Sequence, residues 1–179
     1  GSFFLHGMEG NFMKVKFEEF YNCDSITLNV TNNCNLACSY CFETDKTRAM
    51  MKPEIALEAI RKAYRPNPST TMQFTINFFG GEPLLNWPAI KAVIDYCNEN
   101  HLKVQYGFTT NLTILTEEML EYMDDNSIPF LVSIDGIKQV HDKNRCNSFD
   151  AVMDNLKRII DRGLGLYVEV RMTVLPEDV

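Results

Sequence analysis

A run of about 18 uninterrupted apolar residues, the least that a membrane-spanning helix needs, is missing from this sequence, so no membrane partner is expected. A basic excess is missing too. Seventeen Lys and Arg stand against 24 Asp and Glu, a net charge of −7. That balance disfavours a surface that tracks phosphates, and nucleic acid is not expected as a partner. Neither a glycine-rich dinucleotide fingerprint nor a phosphate loop occurs, and no convincing serine–histidine or paired-carboxylate arrangement is found. The opening residues Gly1-Ser2-Phe3-Phe4-Leu5-His6-Gly7 have no basic start and only a short apolar run, so they do not read as a secretory signal. Gly1-Ser2 has the form of a cleaved tag remnant, and residues 1–22 are set apart as an N-terminal segment. The expected compartment is a reducing cytoplasm.

What is present suffices for a folded domain. At 179 residues and 45% hydrophobic composition, residues 23–179 can bury one substantial core. Six cysteines occur, Cys23, Cys34, Cys38, Cys41, Cys97 and Cys146. A chain with its own core does not need a disulfide framework. Three of the six fall within the stretch 34–41, and such crowding points to metal or redox chemistry.

The hydrophobic pattern alternates between the strand and helix periods. Strands are expected at about Ser25–Thr31, Gln73–Phe79, Lys103–Thr109, Phe130–Ile134 and Leu166–Leu175. A helix over Pro53–Tyr64 begins on proline and has Ile55, Ala59, Ile60 and Ala63 on one face, before Pro66, Asn67 and Pro68 break it. The helix over Pro88–Glu99 places Ile90, Val93, Ile94 and Cys97 on one stripe. Thr116 caps a third helix running to Asp125, with Glu117 and Glu118 in its first turn. Ser148 caps a fourth, with Val152, Leu156, Ile159 and Ile160 buried and Gly163 as its stop. Strand and helix alternating at these spacings imply right-handed crossovers and an α/β fold on a parallel sheet. Ligand sites of such sheets lie in the loops after the strands.

Every unusual motif sits in one of those loops. After the first expected strand comes Asn33-Cys34-Asn35-Leu36-Ala37-Cys38-Ser39-Tyr40-Cys41-Phe42. Thiolates are soft ligands suited to iron–sulfur clusters or zinc. Only three are local, which would leave one coordination position open, as a catalytic metal requires. A zinc or electron-transferring site completed by a distant cysteine, and inert thiols, remain as alternatives. The second strand ends in Gly80-Gly81-Glu82-Pro83, a pair that permits close backbone approach beside a fixed anion. The third ends in Thr110-Asn111-Leu112. The fourth ends in Ser133-Ile134-Asp135-Gly136, hydroxyl and carboxylate on the same side of the strand, and His141-Asp142-Lys143-Asn144-Arg145 follows.

The cysteine–three–cysteine–two–cysteine spacing, with Tyr40 before the last cysteine and the strand-end motifs behind it, resembles the radical S-adenosylmethionine (SAM) superfamily. The His-Asp-two-residue-Arg pattern is similar to that of its peptide- and protein-modifying branch, the sulfatase-maturase-like and peptide maturases. The resemblance implies a partial six-unit TIM-like barrel of strand–helix pairs. It also implies a 4Fe-4S cluster on Cys34, Cys38 and Cys41, and SAM on its fourth iron. Reductive cleavage of SAM would give a 5′-deoxyadenosyl radical for hydrogen abstraction.

In such enzymes Gly80, Gly81 and Glu82 would meet the amino group of SAM, Thr110 and Asn111 would also contact the cofactor, Ser133 and Asp135 would meet its methionine or ribose portion, and Arg145 its carboxylate. Tyr40, Phe42 and Val174 would offer apolar surface to adenine. Leu112 departs from the family pattern, which has glycine there. His141 is expected to order its loop. The implied partners are a peptide or protein substrate and an external electron donor of the flavodoxin or ferredoxin type. Two other readings are a non-catalytic iron–sulfur or zinc module, and a radical enzyme acting on a small molecule. Because the chain stops after a fifth expected strand, it reads as an incomplete core lacking an auxiliary-cluster domain, whose edge strand invites pairing into a dimer.

Overall fold

The computed structural model describes residues 4–6, 24–43, 47–65 and 72–176. The expected break at Pro66–Pro68, the residues flanking β1 in the N-terminal segment, Cys23 and the last three residues lie outside them. Six parallel strands stand side by side in chain order: β1 (Phe4–His6), β2 (Ser25–Thr31), β3 (Phe74–Gly80), β4 (Val104–Thr110), β5 (Phe130–Ser133) and β6 (Val168–Arg171). Five were expected from the hydrophobic pattern. The sixth is the short β1, set apart with the N-terminal segment because three residues carry no readable period. The helices are α1 (Pro53–Ala63), α2 (Trp87–Glu99), α3 (Glu117–Asp125), α4 (Lys138–Asn144) and α5 (Phe149–Asp161).

One face of the sheet is sealed by the helices. Leu28, Val30, Ile76 and Val132 are fully buried there, as are Ile60 of α1 and Ile90, Val93, Ile94 and Cys97 of α2. Each large side chain so placed contributes about 1.5–3 kcal/mol. The opposite face carries Thr27, Asn77, Gly107, Thr109, Leu131, Glu169 and Arg171, which line an open cavity of about 520 Å³. The last strand is shorter than the period suggested, because Gly165–Tyr167 form a 3-10 turn before it. Two apolar positions also differ. Ile55 and Ile160 were expected inward, yet both are exposed, Ile160 by 54%. On α1 the buried stripe passes through Ala56 instead, so the sheet-facing side is one residue round from the expected one.

Helix α4 was not expected, since Lys138-Gln-Val-His-Asp-Lys-Asn has no apolar period. Its neighbour α5 has Ser148 at the N-cap position, as expected, but without the expected bond. The Phe149 amide donates instead to Asp142 Oδ1 at 2.9 Å, which leaves the Ser148 hydroxyl to meet His141 Nε2 at 3.0 Å.

Leu112 explains itself in this frame. Its φ is +52°, the left-handed conformation glycine favours, so the backbone has the shape the family's glycine would give it. The side chain is wholly buried, and burial outweighs the 1–2 kcal/mol or so that the conformation costs. His101 has φ +51° after α2, but it is exposed and gains no such burial. Replacing each with glycine therefore has opposite consequences. Leu112→Gly is expected to destabilise by about 2–4 kcal/mol, and His101→Gly to stabilise by up to about 1 kcal/mol. Urea unfolding midpoints of the two variants check both signs.

Candidate functional site

The site is built where β2 gives way to the cysteine loop. The β2–β3 register slips between Asn29 and Thr31, a bulge that re-aims the strand end. Thr31 Oγ1 donates to Ala49 O at 2.7 Å and accepts from Asn33 N at 3.0 Å. Asn86 Nδ2 reaches both Val30 O at 2.7 Å and Met51 O at 2.9 Å. Both ends of the cysteine loop are thereby stapled to the sheet.

The Gly80-Gly81 pair is required by close approach. A Cβ on Gly80 would stand 2.1 Å from Thr31 O, and one on Gly81 2.3 Å from Asn33 O and 2.9 Å from Cys34 Cβ. Gly81 N donates to Thr31 O at 2.9 Å, and Glu82 N to Asn33 O at 2.8 Å. The end of β3 thus lies directly against the first cysteine of the loop.

The Glu82 side chain turns away from that contact. It is 1% exposed. Its Oε1 accepts from Thr110 Oγ1 at 2.8 Å and Leu84 N at 3.1 Å, and its Oε2 from Asn111 N at 2.7 Å. The carboxylate expected to face an ammonium is therefore engaged in joining the ends of β3 and β4. Burial pushes its pKa up to about 7, against the pull of those three donors. Asn111 extends the linkage to the cysteine loop. Its Nδ2 donates to Asn35 Oδ1 at 3.0 Å and points at Cys34 Sγ at 3.9 Å. Asn35 Nδ2 in turn meets Thr113 Oγ1 at 2.7 Å.

The far side of the loop is held by three consecutive residues at the end of α4. Ser39 N donates to Asn144 O at 2.9 Å. The Arg145 guanidinium lies 5.3 Å over the Tyr40 ring. Ala37 N donates to Cys146 Sγ at 3.2 Å. Asp135 anchors this side. It is 1% exposed and accepts from the Tyr40 hydroxyl, from Arg145 Nε at 2.8 Å and from Thr173 N at 3.0 Å. Burial opposes its ionisation, but the bonds from Tyr40, Thr173 and Arg145 prevail and hold its pKa below the ordinary value. Arg145, expected to meet a cofactor carboxylate, is paired with a protein carboxylate. His141 is wholly buried, and the Asp135 amide donates to its Nδ1 at 3.2 Å. That fixes the proton on Nε2, facing Ser148. Burial, then Arg145, lowers the His141 pKa, so the ring is a neutral brace for Asp135.

Cys34, Cys38 and Cys41 are not joined in a disulfide, and each is half-buried. Burial raises the Cys38 pKa against the pull of Arg145, and the thiols of Cys34, Cys146 and Cys41 add to the rise. Among the described residues no three His, Cys, Asp or Glu side chains close tightly enough to grip one metal ion. Thiolates serving different irons of a cluster stand further apart, and three soft sulfurs on one loop fit such a group.

Of the expected adenine contacts, Tyr40 is drawn into the Asp135 cluster. Phe42 is 78% exposed and stacks on Phe79 at 6.4 Å, and Val174 is also exposed. Ser133 is buried at the end of β5. Sequence reasoning missed Asn35, Thr113, Asn144, Cys146 and Thr173. Only Cys146 offered a signal, as a reactive residue adjoining Arg145.

Comparison with known proteins identifies the family and the fold. The family described as the Radical SAM superfamily matches residues 28–179. The chain is 32% identical over 151 residues to the radical SAM cyclopropyl synthase TigE of Paramaledivibacter caminithermalis, covering 75% of this chain and 32% of that protein. It is 30% identical over 143 residues to a cysteine-type anaerobic sulfatase-maturating enzyme of Clostridium novyi, covering 71% and 37%. A solved structure of the sulfatase-maturating enzyme anSMEcpe, with bound AdoMet and a peptide, superposes with a TM-score of 0.65 at 23% identity, over 83% of this chain and 42% of that one. The chain spans about a third to a half of the length of the curated relatives it matches. Among the described residues no helix is long and apolar enough to cross a membrane.

Glu82 generates a test of the buried linkage. Its folded pKa, about 7, stands above the ordinary 4.5. The folded state therefore binds the extra proton, and the stability so contributed is full below about pH 4.5 and lost as pH rises through about 7. Glu82→Gln cannot titrate. The stability difference between wild type and variant should change by on the order of 3 kcal/mol between about pH 5 and about pH 8, in the variant's favour at the higher pH. Urea titrations at the two pH values measure it, and parallel pH profiles would contradict the assignment.

Proposed function

This chain belongs to the radical SAM superfamily, and from that membership we propose that it is the cofactor-bearing core of an enzyme that modifies a peptide or protein. The superfamily's cofactors are a 4Fe-4S cluster and SAM. Cys34, Cys38 and Cys41 are the residues that hold the cluster. The observation carrying this assignment is the convergence of the strand ends on one loop: Gly81 against Cys34, Asn111 on Asn35 and Cys34, and Asn144 through Cys146 on residues 37–40. Cluster and SAM together supply an electron-driven cleavage that yields a 5′-deoxyadenosyl radical, which abstracts hydrogen from substrate.

The chain's own residues bind and orient. Gly80 and Gly81 bring backbone without side chains to the cluster loop. Glu82 acts beside the amino group of SAM and holds Thr110 and Asn111 in place. A cation arriving there favours its anionic form. Arg145 is the cation that acts on the Cys38 thiol, and its planar fork suits a carboxylate. Asp135 and Ser133 face the methionine or ribose portion, with Tyr40, Phe42 and Val174 toward adenine. The peptide class rests on the His141-Asp142…Arg145 motif and on likeness to sulfatase-maturating enzymes. An external electron donor of the flavodoxin or ferredoxin type is the remaining partner. A radical core acting on a small molecule is the second reading, supported by the likeness to BtrN in complex with AdoMet and 2-DOIA, at a TM-score of 0.54.

Anaerobic reconstitution tests the assignment. Cys34→Ala, Cys38→Ala and Cys41→Ala are each expected to lose the cluster's iron and its visible absorbance, while Cys97→Ala keeps both. Arg145→Lys should keep the cluster but bind SAM roughly tenfold more weakly, about 1–2 kcal/mol. Equal iron in the triple cysteine variant and wild type would refute the ligand set. Mass spectrometry of candidate peptides incubated with the full-length parent decides between the peptide and small-molecule readings.

A further inference from the structure

The face of the sheet away from the helices carries polar groups that the cysteine loop does not use. Parallel register sets Thr27 of β2, Asn77 of β3 and Gly107 of β4 in one row across it. A glycine inside a strand gives up packing and marks a place where another group comes close to the backbone. At Gly107 that group is Asn77, since a Cβ there would stand 2.7 Å from Asn77 Oδ1. The carboxamide thus lies across the glycine. It is half-buried and has no hydrogen-bond partner among the described residues. One row nearer the strand starts, the polar groups close on each other, Gln105 Nε2 donating to Thr75 Oγ1 at 2.7 Å. At the strand ends Glu82, Asn111, Asp135 and Arg145 are likewise engaged. Asn77 instead faces open space.

Two cavities meet at it. One, of about 520 Å³, reaches toward the strand ends, past Phe79 and Thr109 to Arg171. The other, of about 670 Å³, reaches toward the strand starts, past Thr75 and Gln105 to Asp24. Each falls in the range of roughly 300–1,000 Å³ usual for ligand sites. Together they run beside β3 from Gln73 to Phe79, about 20 Å at roughly 3.3 Å per residue. A compact molecule fills one of the two, whereas a linear chain of about six extended residues fills both and passes Asn77 on the way. An extended peptide turns the N–H and C=O of one residue to the same edge. A carboxamide offers an acceptor and donors side by side, so the two match.

We propose that Asn77 binds the backbone of an extended peptide substrate, its Oδ1 accepting a peptide N–H and its Nδ2 donating to the C=O of the same residue, in the room that Gly107 leaves. The inference rests on the reading of this chain as a peptide-modifying core and adds how the peptide is held. Asn77 lies three positions before Gly80, so the bound residue stands about 10 Å from the end of β3 that meets the cysteine loop. Recognition through the backbone fixes the depth at which the chain sits and leaves its side chains unread at this point.

The test uses the anaerobically reconstituted chain, loaded with cluster and SAM. Its probe is the blocked hexapeptide acetyl-Ala-Ala-Ser-Ala-Ala-Ala-amide with its singly N-methylated forms, and affinity is read by NMR titration. Asn77→Ala and Gly107→Ala should each weaken binding severalfold, the second because its new methyl group displaces the carboxamide. Iron content and SAM affinity should match wild type in both, since they depend on the strand ends. Gly107→Ala should unfold in urea no earlier than wild type, which separates lost binding from lost folding. One N-methyl position should weaken binding to wild type severalfold yet change nothing further in Asn77→Ala. Wild-type affinity in either variant overturns the proposal, as does an N-methyl series that affects wild type and Asn77→Ala alike. In both cases a peptide still binds, and the peptide reading stands. Failure of wild type to bind any form, with cluster and SAM in place, removes that reading and the proposal with it.

Discussion

The Asp135 carboxylate, buried two residues beyond the end of β5, is the joint on which the rest of the site depends. Through the Tyr40 hydroxyl it holds the cysteine loop, through Arg145 the end of α4, and through the Thr173 amide the segment after β6. Burying an anion is costly unless each lone pair is engaged, and removing one partner of such a pair typically costs about 3–5 kcal/mol. Four segments distant in sequence are thus fixed by one charge. His141 completes the arrangement by accepting the Asp135 amide while remaining neutral. The motif His-Asp-two-residue-Arg acquires a separate physical task at each of its three named positions. His141 braces the Asp135 backbone, Asp142 caps α5 and Arg145 neutralises the buried carboxylate.

The sheet makes this possible by its direction. Six parallel strands in chain order deliver every carboxyl end to the same edge, so loops separated by dozens of residues become neighbours without any long connection. Glu82 does for β3 and β4 what Asp135 does for β5 and its surroundings, with a difference in charge state. Its three donors are neutral groups, so burial dominates and its pKa rises. Asp135 has a guanidinium among its partners and its pKa falls. Two buried carboxylates at the same edge of the sheet are thereby set apart by their environments.

Much of the fold was legible in the sequence. The alternation of Ile26, Leu28 and Val30, the stripe of Ile90, Val93, Ile94 and Cys97, and the Thr116 cap reproduce their elements to within a residue or so, because local propensity and burial favour the same conformation there. Helix α4 was not legible, since its seven residues are held by contacts to other segments and carry no apolar period. Ile160 was read as buried because periodicity reports which face is apolar, not how far the neighbouring sheet extends.

The sequence by itself determined the chemistry available: three closely spaced thiols, a glycine pair that only close approach explains, and charged residues at the ends of strands. Their spacing also identified the family. Tertiary structure alone decided the pairing of those groups. It turned Glu82 inward to Thr110 and Asn111, matched Arg145 to Asp135 and brought Cys146 beside the cysteine loop. The reason is that hydrogen bonds and ion pairs form between neighbours in space. At this site those neighbours lie as far apart as Ala37 and Cys146, a distance over which no local pattern carries information.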